Sequence, residues 1–459
     1  VKIDLYELTR YFPDARSYDE DRGEYVVDPV LGEERNALIT MLAYVLAERP
    51  VIIHGWAGTG KTKISNAVLA LLPEKELLRY RSSSEKNIWY QGSAITRASY
   101  VYVSELQKAG QQIIEVLKDW GEGVNAKYDV TDVTMDKEGD QTRSKVLPCR
   151  PYLTTLALEN KNAEINPELW RRVITLVTRT DKEHTQAVVK RKLEMASRSG
   201  AHLVTYTDDE FSALRAHIAR VLPTTNIKVI IPGSEALFDY IPTTFRIVMS
   251  QTDYLIDFIA AVTRFHALER ITIPDSKYGT VMLATPEDIY CAWEIFGAVF
   301  VDYCIKLDHE RRGILRAMGS TENTSQGTLN VGDDSNRPRF KDKQIQRRLR
   351  DMDLNYTPAE LKRHLIAMAM DGYLDSDDNG WHLSDLADAI INQKSLDMEY
   401  LTKEAVKNVQ QEFPGVSDKF IKENCININF LHPLTGVENS FEYDFEFEDY
   451  EEETQGGIV

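Results

Sequence analysis

The sequence predicts an α/β protein whose core is a phosphate-loop strand and helix, extended toward the C-terminus by a helical region and a small helix-and-wing module. Three observations carry that prediction. Val51, Ile52 and Ile53 form a short apolar run, Gly55 to Thr62 follows the pattern G-x-x-x-x-G-K-[ST], and Ile64, Val68, Leu71 and Leu72 then recur at helical spacing. Tyr100 to Val103 repeats the buried-strand pattern and ends on Ser104 and Glu105. Beyond residue 340, two amphipathic stretches precede Asp371 to Asp375 and Gly380 to Leu383, which read as a small β-wing.

The first observation carries chemistry. Glycines at 55, 58 and 60 let the backbone wrap closely, so that amide N–H groups, including that of Thr59, converge on an anion. Lys61 neutralises β- and γ-phosphates, and the Thr62 hydroxyl suits Mg²⁺. The helix that starts there points its positive end at the same anion. Strand before and helix after make a chance glycine turn a poor alternative. The pattern predicts binding of ATP with Mg²⁺.

Residues 1–33 are mixed and aromatic-rich, and are expected to pack on the next domain. Glu34 to Glu48 carries Leu38, Met41, Leu42, Val45 and Leu46 at helical spacing, a helix leading into the Val51 strand. Leu77 to Tyr80 reads as a second strand, and Ser82 to Ser84 as a cap or a ligand contact. Glu105, at the end of the Tyr100 strand, falls where a carboxylate polarises an attacking water as general base. The acid that usually precedes it is Ser104, which can hold a metal-bound water but supplies no charge.

Lys108 to Trp120 is expected to be helical. Tyr128 to Thr134 and Gln141 to Leu147 flank a Gly-containing turn and predict a β-hairpin. Pro151 to Leu158 is the next core strand, and Asn160 after it is a candidate to sense the γ-phosphate or orient the water. Arg171 and Arg172 precede the last core strand, Val173 to Val177. Their position suits an arginine finger, Arg172 in preference to Arg171, with a surface ion pair as the plain alternative.

Residues 182–318 read as mostly helical, with strong patterns at Asp253–Leu268 and Ala284–Ile305 and a Thr285-led cap. Arg246 is a candidate lid arginine for the nucleotide, and His266 reads as a packed histidine. Gly319 to Pro338 has linker composition. Lys341, Lys343, Arg347 and Arg348 give the following helices a basic character and make them, with Lys127, Arg143 and Lys145 of the hairpin, candidate DNA contacts. Winged helices also dock proteins.

Composition narrows the function classes. At 459 residues, with 43% hydrophobic and 27% charged residues, the chain suits several globular domains. A net charge of −18 disfavours a protein coated in nucleic acid, but leaves room for a local basic groove. Acidic residues crowd positions 442–453 with no Lys or Arg among them, as in a partner-binding tail or a DNA mimic. Four scattered cysteines argue against structural zinc and suit a reducing compartment. With no apolar run of membrane-spanning length and no secretory signal, the expectation is a cytoplasmic protein without a membrane partner.

Taken in order, the P-loop, Glu105 strand, hairpin, Asn160, Arg172 and helical lid resemble the AAA+ helicase-like ATPases of phage, plasmid and archaeal mobile-element replication. These are often joined to primases. They are similar to superfamily 3 helicases and more distantly to minichromosome maintenance helicases. The resemblance covers roughly residues 35–305, and its more specific half is Val229 to Pro232, Phe258, His266, Arg270 and Ala284 to Asp288. It implies a P-loop AAA+ ATPase core with an inserted β-hairpin, a helical lid and a C-terminal winged-helix-like domain. It also implies a hexameric ring, ATP at subunit interfaces and a pore-lining hairpin on single-stranded or forked DNA. The corresponding division is 1–33, core 34–180, lid 181–318, linker 319–340, winged helix 341–391 and C-terminal region 392–459. Three functions fit: an ATP-driven DNA translocase or helicase; an AAA+ switch or loader that recruits replication proteins without unwinding, the acidic tail being one contact for them; and, on the strength of Ser104, a non-catalytic nucleotide-binding scaffold.

Overall fold

The computed structural model describes residues 3–80, 87–131, 142–157, 167–197, 204–243, 248–304, 309–319, 338–351, 354–384, 387 and 395–443. Helix α1 (Leu5–Tyr11) and the hairpin β1 (Arg16–Asp19)–β2 (Glu24–Val27) open the chain. Helix α2 (Glu34–Met41) comes next, and its run continues to Leu46 as one wider, π-type turn rather than as the single regular helix expected. Then come β3 (Val51–Gly55), α3 (Lys61–Leu69), β4 (Leu77–Tyr80), the short α4 (Asn87–Tyr90) and α5 (Gly92–Arg97), and β5 (Tyr100–Val103). Helix α6 (Gln111–Gly121) leads to the hairpin β6 (Ala126–Thr131)–β7 (Thr142–Leu147). Strand β8 (Tyr152–Ala157), α7 (Pro167–Trp170) and β9 (Ile174–Val177) complete the core.

Five strands form one parallel sheet in the order β4-β5-β8-β3-β9. Their apolar runs are continuous because both faces are covered, and alternate residues serve the two faces. Val51, Ile53, Tyr100, Tyr102 and Leu153 enter one core with α2 and α3. Ile52, Val101, Val103 and Tyr152 enter a second with α6, Trp89 and Trp120. Chain order and spatial order differ: β8 inserts between β3 and β5, so the strand ending in Gly55 and the strand leading to Glu105 are not neighbours.

Helices α8 (Lys182–Ala196) and α9 (Asp208–Val221) continue the chain, followed by β10 (Lys228–Ile230), α10 (Val248–Phe265), β11 (Thr272–Asp275), β12 (Gly279–Leu283) and α11 (Pro286–Cys304). The two long helices pack through Phe258 and Phe296, stacked 4.6 Å apart. The region expected to be mostly helical also holds a small sheet, β10-β12-β11. In the first turn of α11, Asp288 is fully buried and accepts from Thr285 N, His266 Nδ1 and Arg270 Nε at 3.0, 2.8 and 2.8 Å. Desolvation opposes its charge, yet the Arg270 guanidinium and His266 hold its carboxyl below the usual range. His266 is thus a buried structural residue here.

Helices α12 (His309–Gly319), α13 (Asp342–Asp351) and α14 (Pro358–Met370) precede the hairpin β13 (Leu374–Asp377)–β14 (Gly380–Leu383). Thr357 caps α14 in a reciprocal box with Glu360, and Pro358 takes the first helical position. Helix α15 (Met398–Glu412) and the hairpin β15 (Asn427–Leu431)–β16 (Glu438–Glu442) end the described chain. That hairpin returns to the start: Thr9 Oγ1 donates to the Pro433 carbonyl at 2.7 Å, and Gly436 lies so close to the Tyr6 ring that a Cβ there would sit 2.4 Å from it. Among the described residues no helix is long and apolar enough to cross a membrane.

Candidate nucleotide-binding site

The turn from β3 into α3 is built by three glycines for two reasons. Gly58 and Gly60 have φ of 81° and 90°, a left-handed backbone that side-chain-bearing residues resist, and a Cβ on either would meet nothing within 4 Å. Gly55 is glycine because of crowding: its Cβ would stand 1.9 Å from Thr178 Oγ1. Thr178, buried just beyond β9, meets the Thr59 hydroxyl at 2.6 Å, and Thr59 Oγ1 also reaches the Trp56 carbonyl at 2.8 Å. Lys61 Nζ donates to the Gly55 and Trp56 carbonyls at 3.0 and 2.5 Å, so its ammonium is held over the loop. Thr62 is exposed on the first turn of α3, and the Trp56 side chain stands 57% exposed in the loop itself. Lys63, one residue on, pairs with Asp28 at 2.7 Å and ties α3 to the N-terminal segment.

Glu105 leaves the end of β5 on the same side of the sheet as the loop, because all five strands are parallel. Its carboxylate is 40% exposed and paired with Lys108. Ser104 contributes through its backbone: its N–H donates to Tyr80 O at 3.3 Å and its carbonyl accepts from the Thr155 hydroxyl. Gln107 links Glu105 to the middle strand. Its Oε1 accepts from Ala157 N, at the end of β8, at 3.3 Å, and its Nε2 lies 3.5 Å from Glu105 Oε2. Strand β8 runs toward Asn160; Asn160, Arg246 and the Ser82–Ser84 stretch lie outside the described residues.

Arg171 and Arg172 stand at the opposite end of the sheet. Val51, which opens β3, pairs in register with Ile174, which opens β9, so Arg172 lies at the strand starts while the loop lies at the strand ends. Arg172 is ion-paired with Glu122 beyond α6, and a Cβ on Gly121 would stand 3.0 Å from the Arg172 Cβ. Arg171 is exposed, and its carbonyl accepts from Tyr254 OH at 3.0 Å. Neither arginine shares an end of the sheet with its own Lys61.

Beside the loop, Glu33 is 4% exposed and accepts from Arg179 N and from Asn36 Nδ2, the same amide that donates to Val177 O at 2.9 Å. Burial pushes its carboxyl up to about 7, against the two hydrogen bonds. Neither Glu33 nor Thr178 nor Gln107 was legible in a local motif, because each acts through a partner distant in sequence.

The candidate DNA contacts differ in availability. Register places Tyr128 opposite Lys145 and Val130 opposite Arg143, whereas Lys127 faces Val146, so Lys127 occupies the other face of the hairpin. Lys341, Lys343 and Arg347 are exposed or half-buried on and beside α13. Arg348 is taken up by the fold: its guanidinium lies 4.5 Å over the Phe340 ring and donates to Ala317 O at 2.9 Å. Among the described residues no group of three or more His, Cys, Asp or Glu could hold a metal ion. No protein-family model matches this chain, and a search of curated proteins gives no significant match.

Proposed function

We propose that this protein is an AAA+ ATPase that uses ATP hydrolysis to move along or unwind DNA during replication, as a ring of like subunits, in the first instance a hexamer. The observation that carries the reading is the order β4-β5-β8-β3-β9, which brings a complete G-x-x-x-x-G-K-T loop and the Glu105 carboxylate to one end of a parallel sheet while Arg172 takes the other. A subunit so built has a phosphate site on one face and a cation on the opposite face, as a head-to-tail assembly requires.

In this mechanism Gly58 and Gly60 leave room for the triphosphate, loop amides and Lys61 bind its β- and γ-phosphates, and the Thr62 hydroxyl faces Mg²⁺. The Thr62 hydroxyl would hold Mg²⁺, which would supply positive charge against the phosphates. The residues fit such a site, with Ser104 in place of the usual acid. Glu105 exchanges its Lys108 partner for the attacking water and takes its proton, and Asn160 orients that water. Arg172 of the neighbouring subunit leaves Glu122 to meet the charge that develops on the γ-phosphate. The hairpin, through Arg143 and Lys145, and the cations around α13 contact the DNA backbone. Unwinding of a forked duplex, with ATPase stimulated by single-stranded DNA, tests the reading. Nucleotide hydrolysis without either would leave the switch or loader function.

A further inference from the structure

Helix α14 has an inner face that is spoken for and an outer face that is not explained by packing. Leu361, Leu365 and Met368 are buried, while Lys362, Arg363, Ile366 and Met370 recur at helical spacing on the outside. Met370 is 84% exposed and Ile366 43%. The stripe therefore combines two cations with two apolar side chains. A phosphate backbone would use the cations and leave the apolar pair idle. A ligand that matches all four carries both carboxylates and aromatic or aliphatic groups.

The chain contains such a segment. The aromatic–acidic alternation of β16 continues past its end: Phe441, Tyr443, Phe445 and Phe447 fall at one parity, and Glu442, Asp444, Glu446 and Glu448 at the other. Positions 444–453 hold seven carboxylates, three aromatic residues and no Lys or Arg, so both halves of the outer face of α14 find a complement. Long Lys and Arg side chains pair with the carboxylates, and a methionine thioether contacts aromatic rings favourably. The exit point is also suitable. Tyr443 stacks on Phe441 at 6.3 Å and lies in the field of Asp397 and Glu399 at the start of α15. Leu396 and Met398 there are buried in the central apolar core, which extends from Leu5 to Leu361, Leu365 and Met368 of α14. Ten extended residues reach roughly 33 Å, against about 20 Å for the length of α14.

We propose that the Asp444–Glu453 segment binds, within its own chain, the outer face of α14 formed by Lys362, Arg363, Ile366 and Met370. The interaction is independent of the translocase reading and of ATP. The test uses the full chain with a benzophenone amino acid at position 447, irradiated and mapped by mass spectrometry. The expected adduct lies within residues 362–370 and runs at the mass of a single chain. Lys362→Glu with Arg363→Glu should lower its yield about fivefold or more, since attraction becomes repulsion at two exposed sites. Met370→Ser should lower it independently, and circular dichroism checks that these surface variants keep the fold. An adduct elsewhere, an adduct confined to a species of twice the mass, or a yield indifferent to both variants overturns the proposal. Crosslinking of an added oligonucleotide to α14 with undiminished yield at position 447 overturns it too, since the face is then a nucleic-acid surface.

Discussion

The hydroxyls of Thr59 and Thr178 lie 2.6 Å apart, so the phosphate loop is fastened to the end of β9 as well as to its own helix. Thr178→Val removes that bond and leaves Thr59 its second acceptor at Trp56 O. A buried neutral hydrogen bond is worth about 1 kcal/mol, or roughly a fivefold change in an equilibrium constant. Titration with a fluorescent ATP analogue should show a loss of that size, with little change in secondary structure. Unchanged affinity would mean that the loop holds its shape without β9.

Lys61 and Glu105 should fail differently. Lys61→Ala takes a cation away from the phosphates and should weaken nucleotide binding. Glu105→Gln keeps the cradle but loses the base, so binding should survive while turnover falls by about two orders of magnitude or more. Hydrolysis at the wild-type rate by Glu105→Gln would remove Glu105 from the reaction.

Arg172 sits at the end of the sheet away from its own Lys61, so any role in hydrolysis must be played on a neighbour. Mixing Arg172→Ala with Lys61→Ala subunits should restore part of the activity, because one class of interface then joins an intact loop to an intact finger. Assembled mixtures that stay inactive at every ratio would argue for the Glu122 ion pair as the sole function of Arg172.

Because register puts Arg143 and Lys145 at positions of one hairpin face, their joint replacement by alanine should abolish DNA-stimulated ATPase and spare the basal rate. Replacing Lys341, Lys343 and Arg347 should instead weaken DNA binding and lower its salt slope by about one for each phosphate that is no longer neutralised. The reverse pattern would favour the loader function.

Glu33 makes stability depend on pH. Its folded-state pKa of about 7 lies above the ordinary 4.5, so its contribution is full below 4.5 and is lost as pH rises through 7. The loss is on the order of a few kcal/mol. Thermal melts of the wild type should fall from about pH 5 to about pH 8 more steeply than those of Glu33→Gln. The substitution also sets one amide N–H against a donor, but that offset does not vary with pH and cancels in the slopes.

Much of the core was legible because its signals are local. Val51 to Ile53 and Tyr100 to Val103 are buried on both faces and so carry unbroken apolar runs, and Gly58 and Gly60 are required by backbone angles. The pairing of β6 with β7, the Thr357 cap and the β13–β14 hairpin were readable for the same reason, although the first strand of β6–β7 begins two residues earlier than expected. Lateral order was not: nothing in the sequence near Gly55 announces that Tyr152–Ala157 will lie beside it. The β10-β12-β11 sheet escaped notice because its strands are three to five residues long, too short for periodicity to outweigh the flanking helices. Arg348 shows the remaining limit, since charge alone does not distinguish a DNA contact from a guanidinium resting on Phe340.

The meeting of Thr9 with Pro433 and of Tyr6 with Gly436 seats the turn between β15 and β16 on the first helix. Within residues 392–459, Pro433 and Gly436 thus meet the first helix. Fragments designed to isolate the parallel sheet by stopping before β15 would strip that contact and expose Tyr6.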